Sequence, residues 1–184
     1  MILVISGPSG VGKSTIINNL NREDGVYFSV SYTTRPIRKK EKHGVDYFFI
    51  DKDKFDHMIK ENSFVEYEEY GGHMYGTSIN ELSKVNDTKG VILDLEVKGA
   101  INVLSKYSNS FGIFVDIDND ELLNKLKLRG HTDKAFLKTR IDLASEQRDQ
   151  KGIFEYYILN EEINDTVNEI NDIIYNRILW LNHL

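Results

Sequence analysis

"ISGPSGVGKSTI", residues 5–16, is the stretch whose reading decides the fold. Gly7, Gly12, Lys13 and Ser14 match the spacing G-x-x-x-x-G-K-[ST]. Before it lies an apolar run, "ILVIS" at 2–6, which reads as a buried strand. After it, residues 14–21 place Ile16, Ile17 and Leu20 on one helical face. Strand, loop and helix therefore agree on a phosphate-binding loop. Its glycines allow a tight turn whose N–H groups converge on one anion. The helix N-terminus that follows adds partial positive charge. Lys13 reaches the outer phosphates of a nucleoside triphosphate as a cation. Ser14 offers a hydroxyl to Mg²⁺, which prefers oxygen ligands. The loop identifies a gripped triphosphate, but it does not by itself identify a reaction.

Composition removes several other classes. The chain has 184 residues, which suits one domain with a real core. Lys and Arg number 23 and Asp and Glu 29, so the net charge is 23 − 29 = −6, a poor match to sequence-independent nucleic-acid binding. There is no cysteine, so disulfides and thiolate metal sites are excluded. No apolar run approaches the roughly 18 residues that a membrane span needs. Because "ILVIS" already reads as a strand, no signal peptide is expected ahead of it. The expectation is a soluble cytoplasmic protein with no nucleic-acid or membrane partner, its state as monomer or homodimer left open.

Further along, strands and helices alternate. Strands are expected at 26–31, 91–96, 111–117 and 156–160. Helices are expected through Ile101 and Leu104, at about 119–129 and 133–149 with a break at Gly130, and at 165–182. With the opening strand this gives an α/β, three-layer fold around a central parallel five-stranded sheet. Residues 32–84 are polar, aromatic and interrupted by glycines, and read as an inserted mixed α+β region. They hold strand candidates "DYFFI", "SFVEYEEY" and "HMYG", and one short helix around Phe55. A second, smaller insertion, charged and helical, is expected at about 129–144, leaving the core as 1–31, 85–128 and 145–184. Ligands in such sheets sit at the carboxyl ends of the strands, where both insertions leave.

"SYTTRPIRKKEKHGVDYFFI", residues 31–50, is the second informative stretch. Arg35 and Arg38 with Tyr47 offer two guanidinium forks and a phenol to a second anion. A solvated basic run is the plainer alternative from charge alone. Asp94 and Glu96 end an apolar strand and are expected to turn to opposite sides, Asp94 to a metal and Glu96 to the acceptor.

Taken in order, "ISGPSGVGKST", "SVSYTTRPIR", "HGVDYFF", "FVEYEEYGGHMYGTS", "ILDLEVKGA", "LKLRG" and "YYILNEE" resemble the guanylate kinase family over roughly residues 3–163. The resemblance implies Mg²⁺-dependent transfer of a phosphoryl group from ATP to GMP, and to dGMP. It implies ATP binding by Gly7, Pro8, Ser9, Gly10, Val11, Gly12, Lys13, Ser14, Thr15, Arg129 and Asn160. It gives the GMP phosphate to Arg35, Arg38, Tyr47 and Tyr75, and guanine to Ser31, Glu66, Thr77 and Glu96. It makes Lys13, Arg35, Arg38, Arg129 and Arg140 catalytic. It makes Ser14 a direct metal ligand, with Asp94 acting through water.

The base assignment makes chemical sense. Guanine shows two adjacent donors, N1–H and the 2-amine, and one carboxylate can accept from both. The hydroxyls of Ser31 and Thr77 can donate to O6. No general base is needed, because the attacking phosphate oxygen is already ionised near neutral pH. The chain departs from the family pattern at "RPIRKKE", where the proline is one place early and Lys40 replaces glycine. Lys98 stands where glutamine is usual, and Lys125 replaces a common arginine. None of these removes a residue with an implied role. Arg148 reads better as the partner of an acid than as a phosphate ligand. A phosphopeptide-gripping scaffold module of the same fold is the competing reading, against which the intact Lys13 and Ser14 argue.

Overall fold

A computed structural model of the chain describes residues 1–21, 25–86, 88–128, 130 and 132–181. The chain opens with β1 (Ile2–Ser6), α1 (Lys13–Asn19) and β2 (Val26–Phe28). It continues with β3 (Tyr32–Thr33), β4 (Phe48–Phe49), α2 (Lys52–Lys60), β5 (Phe64–Tyr70), β6 (His73–Ser78) and α3 (Ile79–Ser83). Then come β7 (Gly90–Asp94), α4 (Val97–Lys106), β8 (Ser110–Asp116), α5 (Asn119–Leu128), α6 (Lys134–Arg148), β9 (Tyr156–Leu159) and α7 (Ile163–Leu181).

Five of these strands form one parallel sheet in the order β2-β7-β1-β8-β9. β1 is its centre and is buried along its whole length. Its alternation divides the core into two layers. Leu3 and Ile5 meet Ile16 of α1, Leu122 of α5 and Ile170 and Ile174 of α7 on one face. Ile2 and Val4 meet Val97, Ala100 and Val103 of α4 on the other. Helices on both faces explain why these strands are continuous apolar runs. The three-layer α/β arrangement is as expected.

The second sheet, β4-β3-β6-β5, is built from residues 32–78 and mixes parallel and antiparallel pairs. Its small core is aromatic, with Phe55 of α2 fully buried and stacked on Phe64 at 4.5 Å between ring centroids.

Three expectations change. The strand expected over 26–31 ends at Phe28, because the chain leaves the sheet to enter the insert. β3 and α3 were not foreseen. α3 had a signal, since "SINE" at 78–81 has the capping-box spacing, and the Ser78 hydroxyl does accept from the Glu81 N–H. α6 runs without a break from Lys134 to Arg148, so the smaller insertion expected up to 144 shares one helix with the core that follows it.

Arg148 is bound to an acid, as read, but that acid is at the end of β8 and not on an exposed helix. Its Nε lies 2.9 and 2.8 Å from the two oxygens of Asp116, which is only 2% exposed. Asp116 also accepts from the Tyr157 hydroxyl at 2.9 Å and the Ile117 N–H at 2.7 Å. This pins the end of α6 to the core. Arg148→Ala would leave a buried carboxylate without its partner, and we expect it to lower unfolding stability by about 3 kcal/mol in denaturant titration. An unchanged midpoint would mean that water replaces the guanidinium there.

Candidate active site

The phosphate loop crosses the carboxyl ends of β1, β8 and β9. Gly7 has φ +136°, and a Cβ on it would collide with the Val115 carbonyl of β8. Gly12 caps α1 with φ +106°, another left-handed value that favours glycine. Lys13 Nζ donates to the Gly7 carbonyl at 2.8 Å, which holds the ammonium over the loop. Ser9, Gly10, Gly12, Lys13, Ser14 and Thr15 line one polar cleft. Val11 does not. Its side chain is wholly buried, so only its backbone faces the loop's concavity. Gly7 and Pro8 likewise shape the loop from below.

Asn160 corrects an expectation. It is 1% exposed, and both ends of its amide are engaged. Nδ2 donates to the Val11 carbonyl at 2.7 Å, and Oδ1 accepts from the Thr166 hydroxyl at 3.0 Å. These two bonds hold the loop in shape from beneath.

Asp94 and Glu96 both line the cleft, against the expectation that they diverge. Residues two apart share a face of a strand, and β7 in any case ends at Asp94. Burial raises the Asp94 carboxyl above the usual range. Lys13 opposes that shift and Glu96 adds to it. Ser14 opens onto the same cleft. Among the described residues no three acids, histidines or cysteines gather into a metal cage. One hydroxyl and one carboxylate facing a phosphate loop fit Mg²⁺, which keeps several waters and takes phosphate oxygens as ligands.

Opposite the loop, the insert presents Arg35, Arg38, Tyr47 and Tyr75 to the same cleft. Glu41, which the sequence reading passed over, organises them. Its oxygens take Arg35 in a fork at 3.0 and 2.7 Å and the Arg38 N–H at 2.8 Å. Burial pushes the Glu41 carboxyl up, but these bonds outweigh it and hold it below its ordinary value. The Arg35 guanidinium also lies 5.6 Å from the Tyr47 ring centroid. Burial, with Asp94 nearby, pushes the Tyr47 phenol well above its usual range, so it remains a donor. The signal for Glu41 was an acid three residues after Arg38, ahead of a turn.

Ser31 and Glu66 complete this side of the cleft, with Glu68 as a further acid not foreseen. Glu66 is 8% exposed, and burial raises its carboxyl to about 7. Its Oε1 accepts from the Thr77 N–H at 3.0 Å. Thr77 itself is wholly buried and does not line the cleft. Its hydroxyl sits 3.1 Å from the Ser31 hydroxyl, so Thr77 contacts both Ser31 and Glu66 from behind the cleft wall.

Arg140 is half-buried on α6, with its guanidinium 4.8 Å from the Phe136 ring centroid, and it does not line the cleft. Arg129 lies outside the described residues.

The family model described as guanylate kinase matches residues 1–177. The guanylate kinase of Malacoplasma penetrans is 35% identical over 184 residues, with 97% of this chain and 94% of that protein covered. That of Bacillus subtilis is 34% identical over 178 residues, with 95% and 87% covered. Among solved structures, the crystal structure of guanylate kinase from Anaplasma phagocytophilum superposes with a TM-score of 0.76 at 27% identity, covering 96% of this chain and 85% of that one.

The clamp under the loop yields a prediction. Asn160→Ala would strand the Val11 carbonyl and the Thr166 hydroxyl. It should cost about 2 kcal/mol of stability and weaken ATP binding roughly tenfold by calorimetry. Native affinity for ATP in a fully folded variant would show the clamp to be dispensable.

Proposed function

The chain belongs to the guanylate kinase family, and we propose that it transfers the γ-phosphoryl group of ATP to GMP, giving ADP and GDP. The observation that carries this reading is a single cleft lined both by the phosphate loop and by Arg35, Arg38, Tyr47, Tyr75, Ser31 and Glu66. A site that only gripped a triphosphate would have no use for a second anion-binding wall. In the proposal, residues 32–84 form the GMP-binding insert and about 129–144 the lid. Residues 1–31, 85–128 and 145–184 are the core.

The proposed chemistry is positioning plus charge stabilisation. Loop N–H groups and Lys13 take the ATP phosphates, Lys13 giving up its bond to the Gly7 carbonyl. Arg35, already aimed by Glu41, and Arg38 take the GMP phosphate with the phenols of Tyr47 and Tyr75. The phosphate oxygen of GMP is the nucleophile and needs no base. Ser14 and Asp94 would hold Mg²⁺, whose chemistry is to neutralise charge on the phosphates of ATP. Arg140, and Arg129 with it, would reach the transferring group only after the lid swings over the cleft, which also excludes water. The reading extends to dGMP, because no residue is given to the sugar 2′-hydroxyl. It also sets the enzyme in the cytoplasm with its substrates. Among the described residues no helix is long and apolar enough to cross a membrane.

Glu66 is the proposed guanine reader, with Ser31 for O6 and Glu96 beside it. Adenine lacks both donors and would leave a buried carboxylate unmet, a mismatch worth about 10⁴-fold in well-built sites. A coupled assay with ATP, Mg²⁺ and a panel of nucleoside monophosphates tests the whole proposal. GMP and dGMP should be phosphorylated and AMP, CMP and UMP essentially not. Equal rates across the panel would overturn it.

Lys13→Ala should lower phosphoryl transfer by about 10³-fold while GMP still binds, as read by single-turnover kinetics and GMP titration. Full activity in that variant would remove Lys13 from the mechanism. The raised Glu66 carboxyl adds a pH dependence. Its free-state value is about 7, and the bound state needs the ionised form. GMP affinity should therefore hold above pH 7 and fall up to about tenfold per unit below it. The GMP phosphate titrates near pH 6 as well. Glu66→Gln isolates that part, and an identical profile in the variant would show that Glu66 does not titrate in binding.

A further inference from the structure

Helix α4 carries a glycine at 99, in its first turn, where alanine would be the better helix former by about 1 kcal/mol. The backbone does not call for it. Gly99 is not among the glycines with positive φ. What it leaves room for is Glu66. A Cβ on Gly99 would lie 2.5 Å from Glu66 Oε2, 3.1 Å from its Cδ and 3.4 Å from its Cγ.

The carboxylate is thus caught between two fixed surfaces. Oε2 rests against the helix backbone of the core, and Oε1 takes the Thr77 N–H of the insert at 3.0 Å. The register of β5 shifts between Phe64 and Glu66, the kind of irregularity that re-aims a side chain. With Glu66 only 8% exposed, little open space remains for another orientation. The atoms that a Cβ would meet belong to the end of a flexible side chain. A methyl group here therefore displaces the carboxylate far more readily than it displaces the helix.

We propose that Gly99 is a positioning residue for guanine selectivity, its missing side chain seating the Glu66 carboxylate against α4 at the angle that meets both guanine donors. The inference rests on the reading of Glu66 as the acceptor of N1–H and the 2-amine. Gly99 touches no substrate, and it acts only through Glu66.

The test uses Gly99→Ala with GMP, ATP and inosine monophosphate, which keeps N1–H and lacks the 2-amine. The GMP KM should rise about tenfold and the preference for GMP over inosine monophosphate should shrink by a similar factor, while the ATP KM stays within about twofold. The thermal midpoint should barely move, since lost space is offset by better helix propensity. Glu66→Asp supplies the decisive arm. The shorter acid leaves room for a methyl group, so adding Gly99→Ala to it should raise the GMP KM less than about threefold, a clear departure from additivity. An unchanged GMP KM in Gly99→Ala, a parallel rise for GMP and ATP, or strict additivity would each overturn the proposal. Glu66→Gln separates the two failures. If it weakens GMP while Gly99→Ala is silent, the base reading stands and the Gly99 inference falls. If Glu66→Gln leaves the GMP KM untouched, the base reading falls and takes the inference with it.

Discussion

The site depends on one steric constraint, the passage of the phosphate loop's first residue beneath the end of β8. Gly7 comes so close to the Val115 carbonyl that no side chain fits, and the strand that carries the carbonyl is buried and cannot retreat. That contact turns the chain out of β1 and leaves the Gly7 carbonyl facing Lys13 Nζ. The loop is then tied from the other side by Asn160, just beyond β9. Its amide bonds the Val11 carbonyl and would lie 3.1 Å from a Cβ on Gly12. Three neighbouring parallel strands thus fix one loop. A loop so held does not reorganise when charge develops, which is how fixed dipoles contribute to catalysis.

The cleft presents an electrostatic puzzle. The proposed ligands are two polyanions, yet Glu41, Glu66, Glu68, Asp94 and Glu96 line it beside Lys13, Arg35 and Arg38. The carboxylates are not equivalent. Glu41 is held ionised and committed to aiming Arg35. Glu66, Glu68 and Asp94 are all raised, in each case mainly by burial. With its carboxyl raised to about 7, Glu66 carries less negative charge in an empty cleft and so repels an arriving phosphate less. In the proposed function it becomes fully ionised when its partner, the guanine N–H groups, arrives. Burial therefore lets acids serve recognition without closing the cleft to anions.

The sheet was legible because β1, β7 and β8 are apolar runs of the right length, and the loop because its motif sits between a strand and a helix. The walls of the cleft were legible only through the resemblance. Two arginines and a tyrosine in a basic run have no distinctive period, since that part of the insert is a loop between the two-residue strands β3 and β4. What stayed hidden were the residues that work through others. Asn160 was given to the nucleotide by the resemblance alone, whereas both ends of its amide are bonded beneath the loop. Thr77 was given to the base, but its burial makes it a support for Ser31 and Glu66. Glu41 and Gly99 have no motif of their own. Each matters only for a neighbour that folding brings to it, across a turn for Arg35 and across 33 residues of sequence (99 − 66) for Glu66.

The roots of the moving parts bear on the order of events. Both chain crossings between the sheets converge on one buried carboxylate, Glu81. Its Oε2 accepts from the Val30 N–H and the Tyr27 hydroxyl, each at 2.8 Å, and Lys84 Nζ lies 3.1 Å from Oε1. Ser31 is the next residue along from Val30. On the other side, Gln147 donates to Glu96 at 3.1 Å, one residue from the Arg148 that anchors α6 to Asp116. Residues proposed to read the base thus stand beside anchored points. Arg35, Arg38 and Arg140 stand farther out along the insert and the lid helix. Displacement about a pivot grows with distance from it, so closure would move the arginines much more than the base reader. In the proposed function the base is then tested while the cleft is open, and the charges that stabilise transfer arrive once the right base is bound.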